Sequence, residues 1–163
     1  RDRVHRLEVS AGGVEVTERA VEAVDSVRLA TSEVVHQPYL HKTTDRGQFD
    51  RAIRGAHEAG ADDALLLAEG GWVAEAGIWS VLWWEGQRLC APPFSLGILA
   101  GVARSRIAEL TNIEERRVPR AGLNGHPLLV ANAVRGIVEV VSLDGVPAPR
   151  SDATRALSAS FWP

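Results

Sequence analysis

The chain has 163 residues, 45% of them apolar and 24% charged, a length suited to one folded unit and a balance that excludes wholesale disorder or a continuous coiled coil. Its net charge is −3 at pH 7 with no polybasic run, so attraction to nucleic acid or to an anionic membrane has no electrostatic basis. The apolar stretches fall short of the roughly 18 residues a membrane-spanning helix needs, no secretory signal is visible, and the single cysteine, Cys90, excludes an internal disulfide and any multi-cysteine metal site; a reducing, cytoplasmic setting is expected.

Arg3–Ser10 mixes Val, Leu and charged residues and reads as a strand. Ala11-Gly12-Gly13 turns the chain, and Val14–Thr17 alternates as a second strand. Ser26–Thr31 is a third, and Tyr39–Thr44, after Pro38, is short and extended. The period then changes. Phe49, Ile53, Ala56 and Gly60 recur at helical spacing, which predicts an amphipathic helix over Gly47–Ala59 that stops at Gly60. Strands follow at Ala64–Ala68 and Trp72–Glu75 around the turn Glu69-Gly70-Gly71, and at Trp79–Trp84 and Gln87–Ala91 around Glu85-Gly86. A Pro/Gly loop over Ala91–Leu99 leads to a helix at Val102–Leu110. Beyond the loop Gly122–Pro127, strands are expected at Leu128–Ala131 and Ile137–Ser142, then a turn at Asp144-Gly145. Ser151 is placed to cap a last helix with Leu157 and Phe161 on one face. The fold class is α+β, strand-rich, in one unit.

The basic residues are unevenly chosen: seventeen arginines and one lysine, Lys42, with no methionine at all. Genomic base composition explains such a bias, and under it a lysine that persists is one whose amine must be able to lose its proton, which arginine cannot do. Lys42 sits in Tyr39-Leu40-His41-Lys42-Thr43-Thr44-Asp45-Arg46, with apolar residues before it and a helix after. It reads either as a solvated surface lysine or as an amine in a cleft that takes an aldehyde.

Glu75 closes Gly71-Trp72-Val73-Ala74-Glu75. Alone it reads as an exposed turn residue or as a half-buried carboxylate in need of a cationic partner, such as a protonated pyridine nitrogen. Gly97-Ile98-Leu99-Ala100-Gly101-Val102-Ala103-Arg104 runs from a loop into a helix. It is an ordinary loop-to-helix turn or a phosphate site, because first-turn N–H groups and the helix dipole both favour an anion. It lacks the Gly-Lys-Ser/Thr ending of a P-loop. Asn132-Ala133-Val134-Arg135-Gly136 is a plain reversal or a second phosphate turn at Asn132 and Ala133. The five histidines have no zinc-type spacing. His41 is read as packed beside Lys42, Cys90 as a core residue, and Trp79, Trp83 and Trp84 as core or interface.

Taken in this order, these segments are more specific than any one of them. His41–Arg46, Ala61–Leu67, Gly71–Glu75, Ala91-Pro92-Pro93 with Gly97–Arg104, and Asn132–Ile137 resemble the large domain of the class IV, or fold type IV, pyridoxal-phosphate enzymes. The resemblance runs from about Val27 to about Gly145. It implies the large C-terminal domain of the D-amino-acid aminotransferase-like fold, a strand-rich pseudo-barrel with flanking helices, over residues 34–163. Residues 1–33 then resemble the end of the small N-terminal domain, and the opening on Arg1 is read as a processed or truncated chain. Within the family the segments lean toward 4-amino-4-deoxychorismate lyase. Its Lys-x-x-Asn-Arg pattern is met here with Asp45-Arg46 in the last two places, and threonines frequent in the aminotransferases are replaced by Ala103 and Ala133. Ser80 stands where asparagine is usual.

The resemblance implies pyridoxal 5'-phosphate as cofactor, joined to Lys42, with Glu75 on its ring nitrogen and Leu99, Gly101, Val102, Ala103, Asn132 and Ala133 about its phosphate. Arg46 is the candidate for a substrate carboxylate or the cofactor's phenolate oxygen. A small amino substrate and a homodimer are expected, with no nucleic-acid or membrane partner. A branched-chain or D-amino-acid aminotransferase is the second reading, and a non-catalytic phosphate-binding or assembly domain the third.

Overall fold

The computed structural model describes residues 3–39 and 41–163; Arg1, Asp2 and Leu40 lie outside the described residues. Two strands, β1 (Arg3–Ser10) and β2 (Gly13–Ala20), form an antiparallel hairpin whose side chains are mostly exposed. The other strands join a single nine-stranded sheet. These are β3 (Ser26–Val35), β4 (Asp63–Ala68), β5 (Trp72–Ala76), β6 (Ser80–Glu85), β7 (Arg88–Ala91), β8 (Ile113–Glu115), β9 (Leu128–Asn132), β10 (Gly136–Leu143) and β11 (Val146–Pro147). Three α-helices flank it among the described residues: α1 (Gly47–Glu58), α2 (Val102–Leu110) and α3 (Asp152–Ala159).

The spatial order is β5-β4-β3-β10-β9-β6-β7-β8, with β11 beside β10. Strands β3 and β4, β3 and β10, and β7 and β8 pair in parallel, and the rest antiparallel. The outer edge of β5 does not end the sheet. Val73 donates to the Val118 carbonyl at 2.9 Å and Trp72 bridges to Pro119, so the segment leaving β8 returns to β5. This closure gives the sheet its half-barrel form and covers an edge that would otherwise offer unpaired backbone groups.

Both faces of the sheet are buried, which explains the continuous apolar runs in β4, β6 and β9. On one face Leu65, Val81, Trp83, Leu128, Val130 and Val138 share a core with Val27, Leu29 and Cys90. On the other, Leu82, Trp84 and Leu129 pack with Ala103 and Ile107 of α2 and Leu157 of α3. Ala64 and Leu66 meet Phe49, Ala52 and Ala56 of α1. The period of two within each strand sorts these residues to opposite faces.

Several expectations are corrected. The residues of Tyr39–Thr44 that are described are irregular rather than extended; Pro38 cannot donate to a ladder, and the Tyr39 N–H bonds to the Gly97 carbonyl at 3.0 Å instead. β3 runs on past the expected Ser26–Thr31 to Val35, inside the large sheet. Ser151 occupies the position before α3, but its side chain makes no capping bond. No helix of the described residues is long and apolar enough to cross a membrane.

Candidate active site

The irregular segment after β3 carries the first wall of the site. The His36 N–H bonds to the Leu67 carbonyl at 2.8 Å, which holds this residue against β4 as the chain leaves the sheet. Lys42 follows on the exposed part of the segment. Arg46 stands at the start of α1, where its carbonyl accepts the Asp50 N–H at 2.9 Å. Its guanidinium donates to the Gly77 carbonyl at 2.8 Å and lies 5.1 Å from the centre of the Phe49 ring.

Strand β5 supplies the second wall. Glu75 is 7% exposed, and a carboxylate so placed requires hydrogen-bond donors. It has one on each oxygen: His36 Nε2 lies 2.7 Å from Oε1, and the Tyr39 hydroxyl donates to Oε2 at 3.1 Å. Burial, and then the charge of Glu75, push the Tyr39 hydroxyl well above its ordinary pKa of 10, so it remains a donor. The turn from β5 into β6 is held from below by Asp63, which accepts the Ile78 N–H at 3.1 Å. Burial raises this carboxyl to about 6.

The third wall is the loop into α2 and the β9–β10 turn. Gly101 is extended, with φ −74° and ψ 142°, and no side chain caps the first turn of α2. The N–H groups that open a helix have no partner within it, so this end is suited to an anion. Asn132 lies where β9 turns into β10. Its Oδ1 accepts the Val134 and Arg135 N–H groups at 3.0 and 2.8 Å, and its Nδ2 donates to the Ile78 carbonyl at 3.4 Å. The amide is thus spent on shaping the turn that carries Ala133.

These walls enclose one cleft of about 290 Å³. Lys42, Arg46, Glu75, Leu99, Gly101, Val102, Ala103, Asn132 and Ala133 all line it, together with Tyr39, Trp79 and Ser80. His41, read as packed, is exposed. Trp79 lines the cleft while its bulk lies in the barrel core, and Cys90 is a buried core residue. Sequence reasoning missed His36 and Tyr39 as the partners of Glu75; only the proximity of both to Lys42 in the chain pointed toward them. Among the described residues no group of three His, Cys, Asp or Glu side chains is placed to hold a metal ion.

Comparison with known proteins bears on this arrangement. The family model for amino-transferase class IV matches residues 13–143. No curated protein matches the chain. Among solved structures, a Legionella pneumophila protein described as a 4-amino-4-deoxychorismate lyase superposes with a TM-score of 0.79 at 22% identity, covering 88% of this chain and 57% of its own. A Thermotoga maritima protein described as a branched-chain amino acid aminotransferase gives 0.84 at 23% identity, covering 94% and 61%. An aminotransferase from Brucella abortus, bound to the cofactor PLP, gives 0.82 at 18% identity, covering 94% and 60%. The chain therefore spans about three fifths of the length of these neighbours.

Proposed function

The chain belongs to the class IV aminotransferase family, and from that premise we propose that it is a pyridoxal-phosphate enzyme that releases pyruvate from 4-amino-4-deoxychorismate to give 4-aminobenzoate. The observation that carries the proposal is the meeting, in one cleft, of the chain's only lysine, a buried carboxylate and an uncapped helix start.

The residues fit the coenzyme by their chemistry. A phosphate suits the first-turn N–H groups at Val102 and Ala103. A protonated ring nitrogen suits Glu75, whose carboxylate is already held by two donors. An aldehyde suits the Lys42 amine. When bound, the coenzyme supplies an electron-accepting ring for the substrate carbon that loses its proton.

The chain's own residues then have separate tasks. Lys42 Nζ would hold the coenzyme's aldehyde and would supply the amine base that takes a proton. Glu75 would keep the coenzyme's ring nitrogen protonated. Tyr39 and His36 keep Glu75 in place, and Trp79 lines the same cleft. Arg46 is in reach of a substrate carboxylate from the same cleft, while one of its nitrogens stays on Gly77.

The lyase is favoured over the transaminase by Asp45-Arg46 and by alanine at 103 and 133. Action as a cytoplasmic homodimer is part of the proposal. Addition of pyridoxal phosphate to the full-length protein is expected to produce a visible absorption band that Lys42→Ala abolishes; its absence from wild type would sink the enzyme reading. Pyruvate release from 4-amino-4-deoxychorismate with no keto acid present supports the lyase. Turnover that requires a keto-acid acceptor moves the assignment to a transaminase.

A further inference from the structure

We propose that His36 is a positioning residue that keeps Glu75 as an uncompensated negative charge, so that the cleft selects a cationic ring nitrogen over a neutral ring of the same shape. This rests on the coenzyme reading above and goes beyond it by assigning a proton and a residue.

The geometry decides where the imidazole proton sits. The His36 side chain is wholly buried, with Nε2 at 2.7 Å from Glu75 Oε1. Its other nitrogen, Nδ1, is buried and meets no hydrogen-bond partner among the described residues. Glu75 and the aromatic rings of Tyr39 and Phe49, whose centres lie 6.0 and 6.4 Å away, are among the groups beside the ring. A stranded N–H in such a place is costlier than an idle acceptor. The proton therefore sits on Nε2, and His36 is a neutral donor.

Tyr39 is a neutral donor as well, so both partners of Glu75 stabilise its charge without cancelling it. The Arg46 guanidinium on the same cleft is committed to the Gly77 carbonyl and lies 3.7 Å from Asp50. An arginine at position 36 would satisfy the same carboxylate but neutralise it, and the pull on a pyridinium would go.

Two measurements on the full-length protein test this. Long-range ¹H–¹⁵N NMR of the protein without coenzyme should show His36 at pH 7 as the neutral Nε2–H tautomer, identified by the signal's loss in His36→Gln. An Nδ1–H tautomer or a doubly protonated ring overturns the inference. Fluorescence quenching should show pyridoxal phosphate binding on the order of tenfold more tightly than its carbocyclic analogue, which has C–H in place of the ring nitrogen. His36→Gln, with its neutral N–H donor, should keep that preference, and His36→Arg should lose it. Equal preference in His36→Arg and wild type makes His36 merely structural. Binding of neither compound by wild type overturns the coenzyme reading itself, a result distinct from lost discrimination.

Discussion

The Arg46 guanidinium donates to the Gly77 carbonyl at 2.8 Å and so ties the segment carrying Lys42 to the turn that follows Glu75. The two groups on which the proposed chemistry depends come from separate parts of the chain, one on an exposed irregular stretch and one on a buried strand. Their spacing is set by this bond and by the Tyr39 hydroxyl on Glu75.

Arg46→Ala removes a charged donor from a backbone carbonyl. A loss of about 1–2 kcal/mol is expected in urea denaturation, with a raised KM if the remaining nitrogens serve a substrate carboxylate. An unchanged KM and coenzyme spectrum would confine Arg46 to the structural tie.

Gly97 has φ +73°, and a Cβ there would stand 2.3 Å from Pro38 Cβ and 2.9 Å from Pro38 Cα. Gly97→Ala should cost about 2–3 kcal/mol, the backbone strain plus the clash. It should also weaken coenzyme binding, because the Gly97 carbonyl anchors the Tyr39 N–H. Gly125 has φ +74° and nothing within 4 Å, so Gly125→Ala should cost only about 1 kcal/mol. Equal shifts in Tm for the two variants would remove the role given to Pro38.

Burial raises the Asp63 carboxyl to about 6, against the pull of N–H bonds from Ala64 and Ile78 and of the nearby His57 and Arg46. The folded state therefore holds this proton more tightly than the unfolded chain. The stability it contributes is fully present below pH 4 and is lost as pH rises through 6, a change of about 3 kcal/mol. Urea midpoints measured from pH 4 to 7 should fall more steeply for wild type than for Asp63→Asn. Parallel profiles would show that the carboxyl does not titrate in that window. There is little room for relief, since a Cβ at Gly77 would come within 2.2 Å of Asp63 Oδ1.

Trp84 Nε1 donates to Thr154 Oγ1 at 2.9 Å, in a buried bond that joins β6 to α3. Thr154→Val preserves the shape and strands the indole N–H, so a loss of about 1–3 kcal/mol is expected. Thr154→Ser should recover much of it. Calorimetry that finds the valine variant as stable as wild type would show that the bond contributes nothing net.

Much of this architecture was legible in the chain. The runs in β4, β6 and β9 are strand-like because they are apolar, short and bounded by Gly, Asn or Pro, and α1 shows its buried face through Phe49, Ala52 and Ala56. β8 was not legible: it pairs over Leu89–Ala91 and Ile113–Glu115 alone, and no period emerges in three residues. The stretch after Pro38 contains residues compatible with a strand, yet its described residues join no strand, and the Tyr39 N–H bonds to the Gly97 carbonyl instead.

The identity and order of the segments, the lone lysine and the helix start at Gly101 are properties of the sequence, because local propensity and residue chemistry act over a few positions. The partners of Glu75 are not. His36 and Tyr39 lie 39 and 36 positions away, and hydrogen bonds over such separations impose no pattern on the chain between. The parallel pairing of β3 with β4 brings these residues to the carboxylate. Burial there leaves one imidazole nitrogen without a partner among the described residues.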